Sequence, residues 1–144
     1  MDKTLIIVST FLYLNFGLLA QHALGLLQAA IPYETGRTGP MIPVYLRGQD
    51  YLAAGNGPAA AAEFQRLRDH PGLVGNDVTA ALAHLYLGRA RTLEATTLQS
   101  PAAENAKAQA RAAYRDFFAL WSDADQDIPI FTAAKAEFSR LKWN

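Results

Sequence analysis

Gly48-Gln-Asp-Tyr51, then Ala60-Ala-Ala-Glu-Phe64, then Leu67-Arg-Asp-His-Pro71 is the stretch on which the reading of the fold turns. Gly48 and Ala60 are twelve positions apart, and Phe64 follows Ala60 by four. A helix–turn–helix repeat of about 34 residues needs this spacing: a Gly and a large residue in the first helix, then a small residue and an aromatic in the second, closed by a Pro. The small residues let two helices approach, and Tyr51 and Phe64 fill the space between them.

A second unit reads Leu87-Gly88, Ala110, Tyr114 and Phe117. Its Gly-to-Ala interval is 22, which puts about ten extra residues in the Leu93 to Ala102 region, and Arg91 stands where an aromatic is usual. A degenerate unit precedes both, with Ala23, Leu27 and Ala30 in its second helix, and Phe131, Ala134, Phe138 and Leu141 give a closing helix. Any array of αα-hairpins uses Ala and aromatics in this way, so that alternative stays open.

Punctuation between these positions divides the chain into helices. Glu34 to Pro40 is a loop by composition, and the helix from Val44 to Ala54 stops at Gly55-Asn56-Gly57. Pro58 suits a first helical turn, and His70-Pro71-Gly72 ends the helix it opens. Asn76-Asp77 offers an N-cap to a helix from Val78 to about Ala95. Ser100-Pro101 repeats the cap-then-proline pattern for a helix reaching Trp121, and Asp127 is expected to cap the helix from Pro129 to Lys142. The expectation is an all-α fold of about seven helices, stacked as antiparallel pairs into a short solenoid. Residues 1–33 form an apolar helix pair and residues 34–144 the repeat domain.

Composition agrees with packed helices and narrows function. The chain has 144 residues, 27 of them Ala, with 13 basic and 13 acidic side chains and no Cys. Balanced charge lacks the basic footprint of a nucleic-acid binder. The absence of Cys excludes disulfides and thiolate metal sites. Thr4 to Tyr33 contains no Asp, Glu, Lys or Arg. Three readings of that run stay open: buried helices, a membrane anchor through residues 4–31, and a signal remnant.

The residues also carry a resemblance. Tyr45-Leu-Arg-Gly-Gln-Asp-Tyr-Leu-Ala-Ala-Gly55, His70-Pro-Gly-Leu-Val-Gly-Asn-Asp77, Ala81-Leu-Ala-His-Leu-Tyr-Leu-Gly-Arg-Ala90 and Ala112-Ala-Tyr-Arg-Asp-Phe-Phe-Ala-Leu-Trp121 resemble the tetratricopeptide tails of bacterial serine/threonine protein kinases. The resemblance spans about residues 23 to 144, loops as well as helices. It implies a tetratricopeptide-like solenoid that binds a protein or peptide. The kinase of such proteins lies N-terminal to the repeats. This chain has no Gly-rich loop over ATP, no His-Arg-Asp loop and no Asp-Phe-Gly, so kinase activity does not carry over.

No motif points to catalysis, a cofactor or a metal. His22, His70 and His84 share no ligand spacing. Asp123, Asp125 and Asp127 start like a calcium loop, but Ile128 and Ala134 occupy the places of its Gly and bidentate Glu. Glu94, Glu104 and Glu137 read as scattered surface charges. The expected activity is therefore recognition by a scaffold without chemistry of its own. Helical phase places Tyr45, Gln49, Leu52, Leu85, Arg89 and Thr92 on an inner, partner-binding face. The rival expectation is a structural subunit that self-associates into an oligomer or filament. Leu5, Ile7, Phe11, Leu12 and Phe16 would mediate it, since an apolar end of an array must be covered.

Overall fold

The computed structural model describes residues 23–34, 41–74 and 77–142. These residues are all-α, with no strand among them. Residues 23–28 are helical (α1) and lead into a 3-10 turn at Ile31–Tyr33. The elements that follow are α2 (Ile42–Ala53), α3 (Gly57–Asp69), α4 (Pro71–Val74), α5 (Val78–Thr97), α6 (Ala102–Leu120) and α7 (Pro129–Lys142). The candidate self-association residues Leu5, Ile7, Phe11, Leu12 and Phe16 lie outside the described residues.

Local chemistry sets most of these boundaries. At the end of α2 the Gly55 N–H donates to Leu52 O and the Asn56 N–H to Tyr51 O, a turn that needs the positive φ of 76° at Gly55. Asn56 then caps α3 by accepting from the Ala59 N–H at 3.2 Å. Asp77 caps α5 by accepting from the Thr79 N–H at 2.8 Å. That bond holds the Asp77 carboxyl below the usual carboxylate range.

Two expected caps do not form. Pro101, not Ser100, stands at the N-cap of α6, and the Ala103 N–H is taken by Gln99 O instead. Among the described residues no hydrogen bond joins Asp127 to α7. The Ile128 carbonyl accepts from Phe131 and Thr132, and Thr132 Oγ1 donates to Gln126 O. The helical turn α4 was not anticipated; it follows the expected stop at His70 and carries Val74 into the core.

The helices stack in chain order: α2 on α3, α3 on α5, α5 on α6 and α6 on α7, with α2 also touching α5. Two apolar cores result. Val44, Tyr45, Phe64, Leu67 and Leu87 centre the first, and Leu85, Tyr114, Phe117, Phe131 and Leu141 the second, with Leu82 packed against both.

The two helix pairs are built the same way. A β-carbon at Gly48 would lie 2.7 Å from the Phe64 ring, and one at Gly88 would lie 2.8 Å from the Tyr114 ring. Each glycine is thus the seat of an aromatic from the following helix, with fully buried Ala60 and Ala110 one turn before the rings. The extra residues of the second pair are not a loop. Measured from these seats, α5 runs four residues farther than α2, α6 starts five residues earlier than α3, and the connection is one residue longer. The second hairpin is therefore about one helical turn taller on each side.

Candidate functional site

The taller hairpin makes one wall of a cleft against α7. The cavity is about 420 Å³. Thr92, Leu93 and Thr96 enter it from α5, and Arg140 and Leu141 from α7. Thr92 and Thr96 donate their hydroxyl protons to Gly88 O and Leu93 O, so these protons are already taken within α5.

A polar knot holds the base of the cleft. Arg89 donates from Nε and Nη2 to the two carboxylate oxygens of Glu137, each at 2.9 Å. Tyr114 Oη donates to the same carboxylate at 2.8 Å, so one Glu fastens α5, α6 and α7. The Arg89 guanidinium also lies 5.0 Å from the centre of the Tyr86 ring. Burial works against the Arg89 charge, but the Glu137 carboxylate outweighs it and holds the group above its ordinary value. Burial, and then the bond to Glu137, push the Tyr114 phenol well up, so it stays a donor at neutral pH.

The residues expected on an inner face divide. Arg89 and Thr92 line the cleft. Tyr45 and Leu85 do not offer surface to a partner: Leu85 is 0% exposed and Tyr45 is 8%. Both are packing residues, Tyr45 meeting the Phe64 and Tyr86 rings edge-on at 6.0 and 5.5 Å. Helical phase points them toward the next helix pair, which covers them. Gln49 and Leu52 are half-buried on α2, Leu52 against the first core, and neither lines the cleft.

Sequence reasoning missed part of the site. Glu137 is not a scattered surface charge but the anchor of the knot, and Glu94 pairs with Arg91 at 2.6 Å. The available signal was spacing: Glu137, Arg140 and Leu141 recur at i, i+3 and i+4 and share a helical face.

A second polar cluster was also missed. Arg47 is 0% exposed, and Glu34, which meets it, is 2% exposed. Arg47 Nε and Nη2 donate to Glu63 at 2.9 and 2.7 Å, Nη1 and Nη2 to Glu34 at 2.5 and 3.0 Å, and Nη1 to Leu27 O at 3.2 Å. All five guanidinium N–H groups are engaged. Arg66 then reaches both carboxylates, at 3.2 and 3.3 Å. The bonds from Glu63, with those from Glu34, outweigh burial and raise the Arg47 pKa. Residues 23–34 are fastened to α2 and α3 by this cluster.

Asp123, Asp125 and Asp127 are exposed, and no group of acidic or His side chains among the described residues is arranged to hold a metal. Residues 4–22 of the run read as buried helices, a membrane anchor or a signal remnant lie outside the described residues, and among the described residues no helix is long and apolar enough to cross a membrane. Comparison with protein-family models, with curated proteins and with solved structures returns no match.

Proposed function

We propose that the chain is a bacterial tetratricopeptide-like scaffold that binds a peptide or partner helix and carries no catalysis of its own. The observation that supports it is the repeated seat of ring on glycine, Gly48 with Phe64 and Gly88 with Tyr114. Stacked pairs of this kind line a concave inner face with the first helix of each pair, which is where such arrays bind extended partners. In this reading α5 and α7 present the cleft, and Thr92, Leu93 and Thr96 touch the ligand. Selection of peptides from a random library on the purified chain tests it. Binders weakened by Thr92→Glu but not by a change on exposed Ala62 support the reading. A chain that selects no peptide, or binders indifferent to Thr92→Glu, overturns it.

The self-association reading draws on a different feature. Leu26, Ile31, Ile42 and Leu46 are 68%, 44%, 43% and 42% exposed, all before or early in the first complete pair. Ile42 and Leu46 lie one turn apart on α2, and in this reading a second copy covers them. Sedimentation separates the readings: large assemblies dispersed by Leu46→Glu favour self-association, and a monomer excludes it.

A further inference from the structure

Charge around the α5–α7 cleft is unbalanced. Among the described residues Glu137 is the one carboxylate in its lining, and Arg89 and Tyr114 already occupy both of its oxygens. Arg140, exposed at the rim, has no ion-pair partner among the described residues. Arg111 sits behind Leu141 and donates to its carbonyl at 3.1 Å, so its charge also meets no carboxylate there. Arg140 in the lining and Arg111 against the Leu141 carbonyl thus carry charge that no described carboxylate meets, beside a hollow lined by Thr92, Leu93, Thr96 and Leu141.

We infer that the cleft takes an acidic peptide, with one apolar side chain filling the hollow and a neighbouring side-chain carboxylate pairing with Arg140. This rests on the peptide-binding reading above and narrows it. The hollow alone selects only for an apolar group of limited size. The surplus positive charge selects for sign, because a cationic peptide brings like charge to Arg140 and Arg111 while an acidic one completes the pairing. The taller second hairpin is what creates this surface, since Thr96 belongs to the turn by which α5 outruns α2.

Amide spectra of the labelled full chain test the inference. The probes are acetyl-Leu-Glu-Leu-amide, its Gln and Lys counterparts, and inorganic phosphate. The Glu peptide is expected to shift the Thr92, Thr96 and Leu141 amides saturably and to bind about fivefold tighter than the Gln peptide, the factor an exposed ion pair supplies. Arg140→Gln, a change at an exposed position, should erase that difference. Thr96→Trp should weaken both peptides alike by filling the hollow. Equal binding of the Gln or Lys peptide overturns the inference, as does phosphate moving the same amides as strongly. Library-selected binders that map to the cleft but lack acidic residues overturn it too, while leaving the peptide-binding reading intact.

Discussion

A buried guanidinium survives only where every N–H finds an acceptor, and Arg47 meets that condition with two carboxylates and one carbonyl. Removing one partner of such a set leaves the others charged and dry. Arg47→Met is therefore expected to cost about 3–5 kcal/mol in urea-monitored unfolding, and adding Glu34→Leu and Glu63→Leu should recover most of it. Unchanged stability in the single variant would mean that water reaches the cluster. Nothing in the sequence marks Arg47 out. Its partners lie 13 positions before it and 16 after it, so no helical spacing joins them. A charge beside Gly48 reads as a solvated face. Gly48 and Gly88 were legible, by contrast, because each is followed in the next helix by an Ala with an aromatic four positions on.

At the scale of the helices, boundaries set by short-range chemistry were readable. Gly55, Asn56 and Asp77 act within a few residues of themselves, and the structure uses each as expected. The ends of the second hairpin were also nearly legible, since punctuation stops one helix near Ala95 and opens the next at Ser100-Pro101, against Thr97 and Ala102 in the structure. Comparison with a repeat of fixed length turns the same residues into an insertion, because Pro101 marks the break between the helices but not the turn that each gains over the first pair. If both helices extend by a turn, a proline inside the extension must break hydrogen bonds. Ala106→Pro, in the second turn of α6, is expected to lower stability by about 3 kcal/mol or more and to reduce the helical circular dichroism signal. A loop would accept the same change with little loss, so a near-neutral result would contradict the helical extension.

Across the whole molecule, the middle helix α5 couples the two pairs. His84 sits on its buried side, where Arg68 of α3 donates to Asp116 of α6 at 3.0 Å. His84 Nδ1 is 3.7 Å from that carboxylate and has no hydrogen-bond partner. Burial, and then the Arg68 charge, hold His84 below its ordinary value against the pull of Asp116. As pH falls, the unfolded chain therefore binds this proton before the folded chain does. Stability from the neutral ring is complete above about pH 6.5 and is lost as pH drops below it. Urea midpoints at pH 7.5 and pH 5 should fall less in His84→Leu than in the parent chain. Parallel losses would assign the pH dependence to other groups. Stacking order was open to sequence reasoning because each pair repeats one pattern. The cleft was not, because it depends on how far two helices outrun their counterparts and on a closing helix whose charges look local.

Two arginines and two glutamates make the cluster around Arg47 electroneutral. Dissolved ions reach solvent-facing charges such as the Lys107–Glu104 pair and the Arg66 edge of the cluster, but not the Arg47–Glu34 pair, whose side chains are 1% exposed. Rising ionic strength therefore sorts the contacts of this chain into two kinds. The joint between residues 23–34 and the α2–α3 pair keeps its strength in brine, whereas the attraction of Arg140 for an anionic ligand fades. Salinity loosens what the cleft holds and leaves the frame that holds the cleft unchanged.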